Sequence, residues 1–329
     1  TLVAGNLIVP AGVTSFTVTV PSTSDAIAEG NESVPITIGA ASATGTIVDD
    51  DGVPTIASVT SDTQNEGVDL IHTVTLSNSS ASITTYSLSL VDGTATGSGT
   101  DYTSTLLNAN FSNGVTISGG TITVPAGVTS FTVTVPTTSD TIDEANETYT
   151  LNVGAASGTG TITDDDAAPT ISSVTADTQT EGTDLVHTVT LSNASSSSTS
   201  FAYSLGGGSA TGGGTDYTTP PTFSNGVTLV AGNLIVPAGV TSFTITVPTT
   251  LDTIDEGASE TYSVSVGGVS NTGTITDDDN APTISSVSDA SATEATSIVH
   301  TVTLSNASSV ATTYSLSLVD GTATGSGTD

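Results

Sequence analysis

The most informative absence in this chain is that of lysine and arginine. Its 329 residues include 33 acidic side chains and no Lys or Arg, so the formal net charge is −33. Nucleic acids, anionic membranes and phosphate ligands are recognised first by cationic side chains, so the composition argues against these partners. Self-repulsion of this size disfavours a compact state, and bound or surrounding cations must offset it.

Cysteine, methionine and tryptophan are also absent, and aromatic residues make up only 4% of the chain. Without cysteine there are no disulfides, and three well-separated histidines do not form the Cys/His cluster that structural zinc requires. No apolar run is long enough to span a membrane. Hydrophobic residues nevertheless reach 35% in a regular pattern, so the chain can bury cores.

An internal repeat of about 113 residues dominates what is present. Runs of three aspartates begin at Asp49, Asp164 and Asp277, and the three histidines have the same two spacings. A unit of this length is a usual size for one domain. We predict the C-terminal part of one repeat, two complete repeats and the N-terminal part of a fourth, covering residues 1–51, 52–166, 167–279 and 280–329, with more repeats on both sides.

Within one repeat, apolar residues alternate with threonine and serine, which is typical of strands with one buried face. Turn signals such as Pro-Ala-Gly separate the strands. In the repeat 52–166 the pattern predicts strands A to G at residues 55–59, 70–76, 84–91, 115–124, 129–135, 148–153 and 161–163, with strand D either continuous or broken at Gly119-Gly120. Short β-branched strands without helical periodicity predict an all-β fold: tandem seven-stranded immunoglobulin-like β-sandwiches in an extended array.

The acidic residues occupy only some of the predicted loops. In an up-and-down count of seven strands, the A–B, C–D and E–F loops and the end of strand G share one end of the sandwich, here called the acidic pole. Every acidic residue of the repeat 52–166 falls in one of these places. Ca²⁺ takes roughly six to eight oxygen ligands from flexible loops, whereas Mg²⁺ uses only one or two carboxylates. We therefore expect Ca²⁺ at the acidic pole; the alternative is a solvated acidic surface.

In the repeat 52–166, Glu66-Gly67 is followed by the segments 93–102, 122–127, 140–147 and 161–166. These motifs, in this order, resemble the Calx-β domain, which is the Ca²⁺-binding β-sandwich of sodium–calcium exchangers. The resemblance covers essentially the whole chain. Because long Calx-β arrays occur in giant bacterial surface proteins, it also implies an extender region of a cell-surface adhesin of the RTX type.

The resemblance implies a set of metal ligands. They are the A–B glutamate, the aspartate of the Asp-Tyr motif, the acids of the E–F loop and the terminal aspartate run. In chain order these residues are Asp25, Glu29, Asp49, Asp50, Asp51, Glu66, Asp101, Asp140, Glu144, Asp164, Asp165, Asp166, Glu181, Asp216, Asp252, Glu256, Asp277, Asp278, Asp279, Glu294 and Asp329. Ala28 stands where the complete repeats have Asp143 and Asp255, so we expect ion number or affinity to differ between repeats.

These features predict a structural role. Ca²⁺ would clamp and stiffen the joints between neighbouring repeats of the same chain, in an extracellular protein of the cell surface with cell-surface or biofilm components as further partners. No nucleophile elbow and no Ser–His–Asp arrangement is recognisable, so no enzyme is expected. We also expect no nucleic-acid partner and no membrane insertion of this segment. The alternative function is that the repeats themselves bind a surface ligand or assemble laterally into a filament or sheath.

The histidines have a structural interpretation. His72, His187 and His300 fall in the inward phase of strand B, and no second His or Cys accompanies them. We expect hydrogen-bonded histidines at the edge of the core rather than metal ligands. Tyr102 and Tyr217, in the Asp-Tyr motif, are expected to pack the C–D loop against the sandwich.

Overall fold

The computed structural model describes residues 1–323 and 325, and its regular elements are β-strands apart from one 3₁₀ turn at Asn108–Asn110. The strands before residue 52 are β1 (Leu2–Val3), β2 (Asn6–Leu7), β3 (Ile27–Ala28), β4 (Glu32–Ile38) and β5 (Ala41–Ile47). The next are β6 (Ile56–Val59), β7 (Asp62–Asn65), β8 (Leu70–Leu76), β9 (Ser79–Ser80), β10 (Thr84–Asp92), β11 (Thr116–Ser118), β12 (Thr121–Val124), β13 (Ser130–Val135), β14 (Ile142–Asp143), β15 (Glu147–Val153) and β16 (Ala156–Thr163).

The following stretch repeats this order. It contains β17 (Ile171–Val174), β18 (Asp177–Thr180), β19 (Leu185–Leu191), β20 (Ala194–Ser195), β21 (Thr199–Gly206), β22 (Thr222–Phe223), β23 (Thr228–Val230), β24 (Asn233–Val236), β25 (Ser242–Val247), β26 (Ile254–Asp255), β27 (Glu260–Val266) and β28 (Val269–Thr276). The last strands are β29 (Ile284–Val287), β30 (Val302–Leu304) and β31 (Ala307–Ser308).

The chain forms two compact units, which are described separately. The first consists of residues 1–140 and 146–164, and the second of residues 141–145 and the described residues from 165 onward. Each unit contains one sandwich of two sheets. In the first unit the strand orders are β13-β8-β6 and β11-β12-β10-β15-β16-β7; in the second they are β17-β19-β25-β22 and β18-β28-β27-β21-β24-β23. This is the predicted immunoglobulin-like architecture.

One face of each long strand builds the core. Along β8 every second residue is buried, from Leu70 to Leu76, while the residues between them are exposed or half-buried. Leu70 and Leu151 of the first unit are fully buried, and so are Leu185 and Val264 of the second. The alternation of apolar residues with threonine therefore fixes which face of each strand points into the core, because burying the apolar face is the more favourable of the two choices.

Predicted strand A is β6 and predicted strand D is broken in the structure, whereas strand G starts earlier than predicted and β7 was not predicted. The segment after β6 forms β7, which joins the other sheet in parallel with β16. Predicted strand D is a hairpin of β11 and β12, turned at Gly119 and Gly120 with positive φ. Strand G begins at Ala156, five residues before the predicted start. The sequence missed this part because it contains Gly158 and Gly160, and glycine has a low strand propensity. Both positions need glycine, since a Cβ there would meet Thr60 and Tyr149.

The predicted core histidines are confirmed in both sandwiches. His72 is fully buried; its Nδ1 donates to the Thr60 carbonyl at 2.7 Å and its Nε2 accepts from the Tyr149 hydroxyl at 2.9 Å. His187 repeats these contacts with Thr175 and Tyr262. His300, in contrast, is exposed.

The tyrosines of the Asp-Tyr motif are also buried as predicted. Tyr102 is fully buried and stacks on Tyr149, with ring centroids 4.5 Å apart. Tyr217 packs on Tyr262 in the second unit. These contacts hold the C–D loop against the sandwich, close to the acids that follow.

Candidate metal centres at the acidic pole

The strand pairing explains how acids from distant parts of the sequence meet. β18 runs parallel to β28, with Thr180 beside Thr276, so the next residues, Glu181 and Asp277, leave the sheet side by side. In the first unit β7 and β16 bring Glu66 and Asp164 together in the same way. A parallel pair ends both strands at one edge, so the A–B glutamate and the aspartate run share the acidic pole.

Some acids of this pole hold loops and are already saturated by backbone donors. Asp62 accepts from the amides of Thr63 and Ile71 at 2.9 and 2.7 Å. Asp177 makes the equivalent bonds in the second unit. Asp92 accepts from the Tyr102 hydroxyl and the Gly97 amide. These residues are not in the predicted ligand set, and their contacts account for them structurally.

The best-defined candidate centre lies in the second unit. Glu181, Asp277 and Asp279 each offer a carboxylate oxygen, and these oxygens lie within 4.8 Å of one another. Asp277 is held in place, because its Oδ2 accepts from the Glu256 amide at 3.0 Å and its Oδ1 accepts from the Asp279 amide at 2.9 Å. The backbone thus orients part of this group before any ion binds.

The carboxylate oxygens of this centre fit Ca²⁺ as ligands. Glu181 is only 6% exposed, and no donor among the described residues reaches its buried Oε1; the buried Oδ2 of Asp279 is likewise without one. A buried carboxylate oxygen without a donor is strongly unfavourable. The chain has no Lys or Arg to supply one. Several hard oxygens converging on one point match the coordination that Ca²⁺ prefers.

Without a cation, the same oxygens favour a proton. Burial, then contact with the carboxyl of Asp278 and the charges of Asp252 and Glu256, raises the pKa of Glu181 to about 8. Burial and neighbouring carboxylates also raise the pKa of Asp279. The raised pKa values mean that this centre favours either a bound cation or a proton on its carboxylates.

A second carboxylate pair lies at the same pole. Burial and contact with Asp216 raise the pKa of Glu260 to about 7, and burial with the charge of Asp252 raises that of Glu256. In the first unit the equivalent Asp101 and Glu147 have carboxylate oxygens within 4.8 Å of each other. Both units thus bring an Asp-Tyr-motif aspartate, Asp101 or Asp216, together with the glutamate that begins a later strand.

Glu147 and Glu260 were missed by the predicted ligand set, although both were counted at the acidic pole. Each begins a strand two residues before an inward tyrosine, Tyr149 or Tyr262. Because side chains two apart share one face of a strand, each glutamate follows its tyrosine toward the end of the core. The two-residue spacing between each glutamate and its inward tyrosine is the sequence signal that could have identified both glutamates.

Residues before 52 form a third acidic group, within the first unit. Oxygens of Asp49, Asp50 and Asp51 lie within 4.8 Å of one another, and Asp49 Oδ2 accepts from the Glu29 amide at 2.8 Å. An open cavity of about 430 Å³ beside them is also lined by Asp25 and Glu29. Burial, then the charge of Asp25, raises the pKa of Glu29.

The remaining predicted ligands are distributed as follows. Glu66 Oε1 accepts from the Asp140 amide at 3.3 Å, and the Asp164 amide donates to Asn146. Glu144, Asp165 and Asp166 are assigned to the second unit. Glu294 is exposed and lies in no acidic group among the described residues, and Asp329 lies outside them. The ligand set as a whole stays a prediction.

The geometry first defines a class: immunoglobulin-like β-sandwiches with carboxylates gathered at one end of the sheets. The sequence model of the Calx-beta domain matches three overlapping stretches, residues 1–65, 49–176 and 164–276. The chain therefore belongs to the Calx-beta domain family, a family of non-catalytic Ca²⁺-binding modules. The predicted family and fold class are confirmed; the repeat boundaries and the adhesin context stay predictions.

Solved structures similar to this chain include CBD12 from CALX1.2, at 16% identity over 64% of this chain and 79% of that one, with a TM-score of 0.26. An I-band fragment of titin is 12% identical over 73% of this chain and 70% of that one, also with a TM-score of 0.26. Similarity at this level carries no argument about function. No curated protein sequence matches the chain. Among the described residues, no helix has the length and apolar character needed to cross a membrane.

We predict that the metal-free protein loses stability as the pH rises from about 5 to about 8.5. The folded-state pKa of Glu181 is about 8 and that of Glu260 about 7, both above the ordinary value of 4.5. Their stabilising contribution is therefore complete below pH 4.5 and is lost as the pH rises through the folded-state values. Urea unfolding in metal-free buffers measures this dependence.

Glu181→Gln should flatten that pH dependence, because glutamine cannot titrate. Glu294→Gln is the matched control, since Glu294 has the equivalent sequence position but is exposed. A wild-type protein equally stable across the range, or an equal effect of the two substitutions, contradicts the prediction.

Proposed function

We propose that this chain consists of Ca²⁺-binding structural repeats, in which bound ions stiffen the joints between neighbouring repeats of a large extracellular surface adhesin. One observation carries the proposal. Glu181 and Asp279 each have a buried carboxylate oxygen that no donor of the described residues reaches, and they meet Asp277 at the end of the sheets. Membership of a Ca²⁺-binding family supports the identity of the cation.

Two sets of residues would hold the ions in the second unit. The first is Glu181, Asp277 and Asp279, beside Asp252 and Asp278; the second is Asp216, Glu256 and Glu260. Bound Ca²⁺ would supply the positive charge that these groups lack. The protein's own part is to orient the carboxylates through the backbone amides that hold Asp277.

An extracellular location agrees with the chemistry. Ca²⁺ modules outside cells work at roughly 0.1–1 mM, so acidic sites of moderate affinity are sufficient there. The chain has no lysine or arginine at which trypsin-like proteases cut. Both properties suit an exposed spacer whose partners are its own neighbouring repeats and, at the cell surface, biofilm components.

Small-angle scattering of the full chain, together with Ca²⁺ titration calorimetry, tests this function. We expect saturable Ca²⁺ binding. We also expect a larger maximum dimension with Ca²⁺ than with chelator, because joints whose carboxylates are neutralised by Ca²⁺ stay straight. Mg²⁺ and NaCl at matched ionic strength are the controls for screening. Equal dimensions in Ca²⁺ and chelator contradict the stiffening role, and absence of saturable binding contradicts the site itself.

A further inference from the structure

Three very short parallel strand pairs recur in the structure at equivalent positions. β3 pairs with β9, β14 with β20 and β26 with β31. In each pair the first strand lies in the predicted E–F loop of one repeat and the second between strands B and C of the following repeat. We call β3, β14 and β26 the latch strands, and β9, β20 and β31 the docking strands.

Each pair is closed by the same hydrogen bond. The amide after the docking strand donates to the carbonyl of the second latch residue: Ala81 to Ala28 at 3.0 Å, Ser196 to Asp143 at 2.9 Å and Ser309 to Asp255 at 2.9 Å. The serine that ends the docking strand donates its hydroxyl to the same carbonyl at 3.0–3.3 Å. Threefold recurrence shows that this contact is specified by the repeat sequence.

The second residue is buried in two of the three latch strands. Ala28 is 7% exposed and Asp255 is 5% exposed, although both lie in predicted E–F loops. The carboxylate of Asp255 accepts from the Ser308 hydroxyl at 2.8 Å, so this acid serves the latch. Alanine at position 28 fills the same buried place without a charge. The difference between Ala28 and Asp255 therefore changes the latch, and the expected difference in ion number or affinity between repeats stays a prediction.

Carboxylates of the predicted metal centres hold both ends of two latch strands. Before β26, Asp252 Oδ1 accepts from the Ile254 amide at 2.7 Å; after it, Asp277 Oδ2 accepts from the Glu256 amide at 3.0 Å. The same two bonds flank β3, where Asp25 accepts from Ile27 and Asp49 from Glu29, at 2.9 and 2.8 Å. The amides that Asp49 and Asp277 bind belong to Glu29 and Glu256, the residues directly after β3 and β26.

The middle latch strand, β14, groups with the unit that contains its docking strand. Residues 141–145, which contain β14, group with the second unit, while the residues on either side of them group with the first. The latch is therefore a segment that one repeat contributes to the next. Main-chain pairing of this kind gives affinity through backbone hydrogen bonds, as in other strand-addition contacts.

We infer that each latch strand is a docking element for the following repeat of the same chain and that Ca²⁺ binding and docking are energetically coupled. This inference rests on the proposed Ca²⁺ function. Ions that fix Asp25 and Asp49, or Asp252 and Asp277, hold the latch extended and ready to pair. By linkage, docking must raise Ca²⁺ affinity by the same factor by which Ca²⁺ favours docking.

The test removes the docking amides without touching any predicted ligand. The variant Ala81→Pro/Ser196→Pro/Ser309→Pro lacks all three donors, and none of these residues has a positive φ that would forbid proline. The matched control Ala81→Gly/Ser196→Gly/Ser309→Gly keeps every amide. Ca²⁺ calorimetry on the full chains should show affinity about tenfold weaker in the proline variant and nearly unchanged in the glycine variant.

Hydrogen exchange of the wild-type chain gives a second measurement that does not depend on the folding of variants. The amides of Ala81, Ser196 and Ser309 should exchange more slowly with Ca²⁺ than with chelator, relative to core amides of β8 and β19. Ca²⁺ binding with equal affinity in the proline and glycine variants overturns the inference but leaves the proposed function standing, and so does exchange insensitive to Ca²⁺. A wild-type chain that binds no Ca²⁺ overturns both.

Discussion

Saturating Ca²⁺ should raise the melting temperature of the metal-free chain by on the order of 10–20 °C. Binding at roughly 100–1,000 times Kd adds about 3–4 kcal/mol per site, and one kcal/mol shifts the melting temperature of a domain of this size by about 4 °C. The physical reason is that Ca²⁺ replaces repulsion between buried carboxylates with coordination. Calorimetric melting in Ca²⁺, in Mg²⁺ and in chelator measures it.

Glu181→Gln separates this effect from general screening. Glutamine removes one charge from the group of Glu181, Asp277 and Asp279, so the variant should be more stable than wild type in metal-free buffer near pH 8. The same variant should lose most of the Ca²⁺-dependent shift of the second unit, whose core is distinct from that of the first. Glu294→Gln should change neither value. A Ca²⁺ shift equal in wild type and Glu181→Gln excludes this centre.

Gly273→Ala should destabilise the second sandwich by roughly 3–5 kcal/mol. A Cβ at Gly273 would lie 2.2 Å from Cζ of Tyr262, so the ring must move. That movement breaks the hydrogen bond between the Tyr262 hydroxyl and the buried His187, at 2.9 Å. The variant therefore combines overpacking with an unsatisfied buried ring nitrogen. Gly160→Ala should do the same through Tyr149 and His72.

The chain contains a matched control for this prediction. Gly45 occupies the equivalent register, but it pairs with Val34, whereas Gly160 pairs with Tyr149 and Gly273 with Tyr262. A Cβ at Gly45 would approach only the Val34 carbonyl oxygen, at 3.7 Å. Gly45→Ala should therefore be close to neutral. Urea unfolding followed by tyrosine fluorescence compares the three variants, and equal effects at the three glycines contradict the tyrosine explanation.

Local sequence was a good guide wherever one face of a strand is buried along its whole length. The predicted strand 70–76 is β8, because alternation of apolar residues with threonine leaves only one phase compatible with a core. The same rule placed His72 and His187 inside. It failed at β7 and at the start of β16, where polar residues and glycine form strands. Those strands are held by pairing with distant partners, which propensity does not contain.

The candidate metal centres show the same division. The sequence directed attention to the aspartate runs and to Glu66 and Glu181, because acids are confined to particular loops. It omitted Glu260, whose importance depends on the strand phase set by Tyr262. It also counted Asp62 and Asp92 at the acidic pole, whereas backbone amides and a tyrosine hydroxyl already hold them. Whether a carboxylate is saturated depends on donors that arrive from elsewhere in the fold.

Composition, period and alternation predicted a repeated β-sandwich, and motif resemblance predicted the Calx-beta family, which the family model confirms. These are properties of residue type and spacing, and they survive in any arrangement of the loops. The tertiary structure decided which oxygens remain without a donor, as in Glu181, and which loop residues become a latch strand, as in Ile254 and Asp255. Strand pairing brings Glu181 beside Asp277, which is 96 residues away, and Asp255 beside Ser308, which is 53 residues away, so no local pattern could reveal either contact.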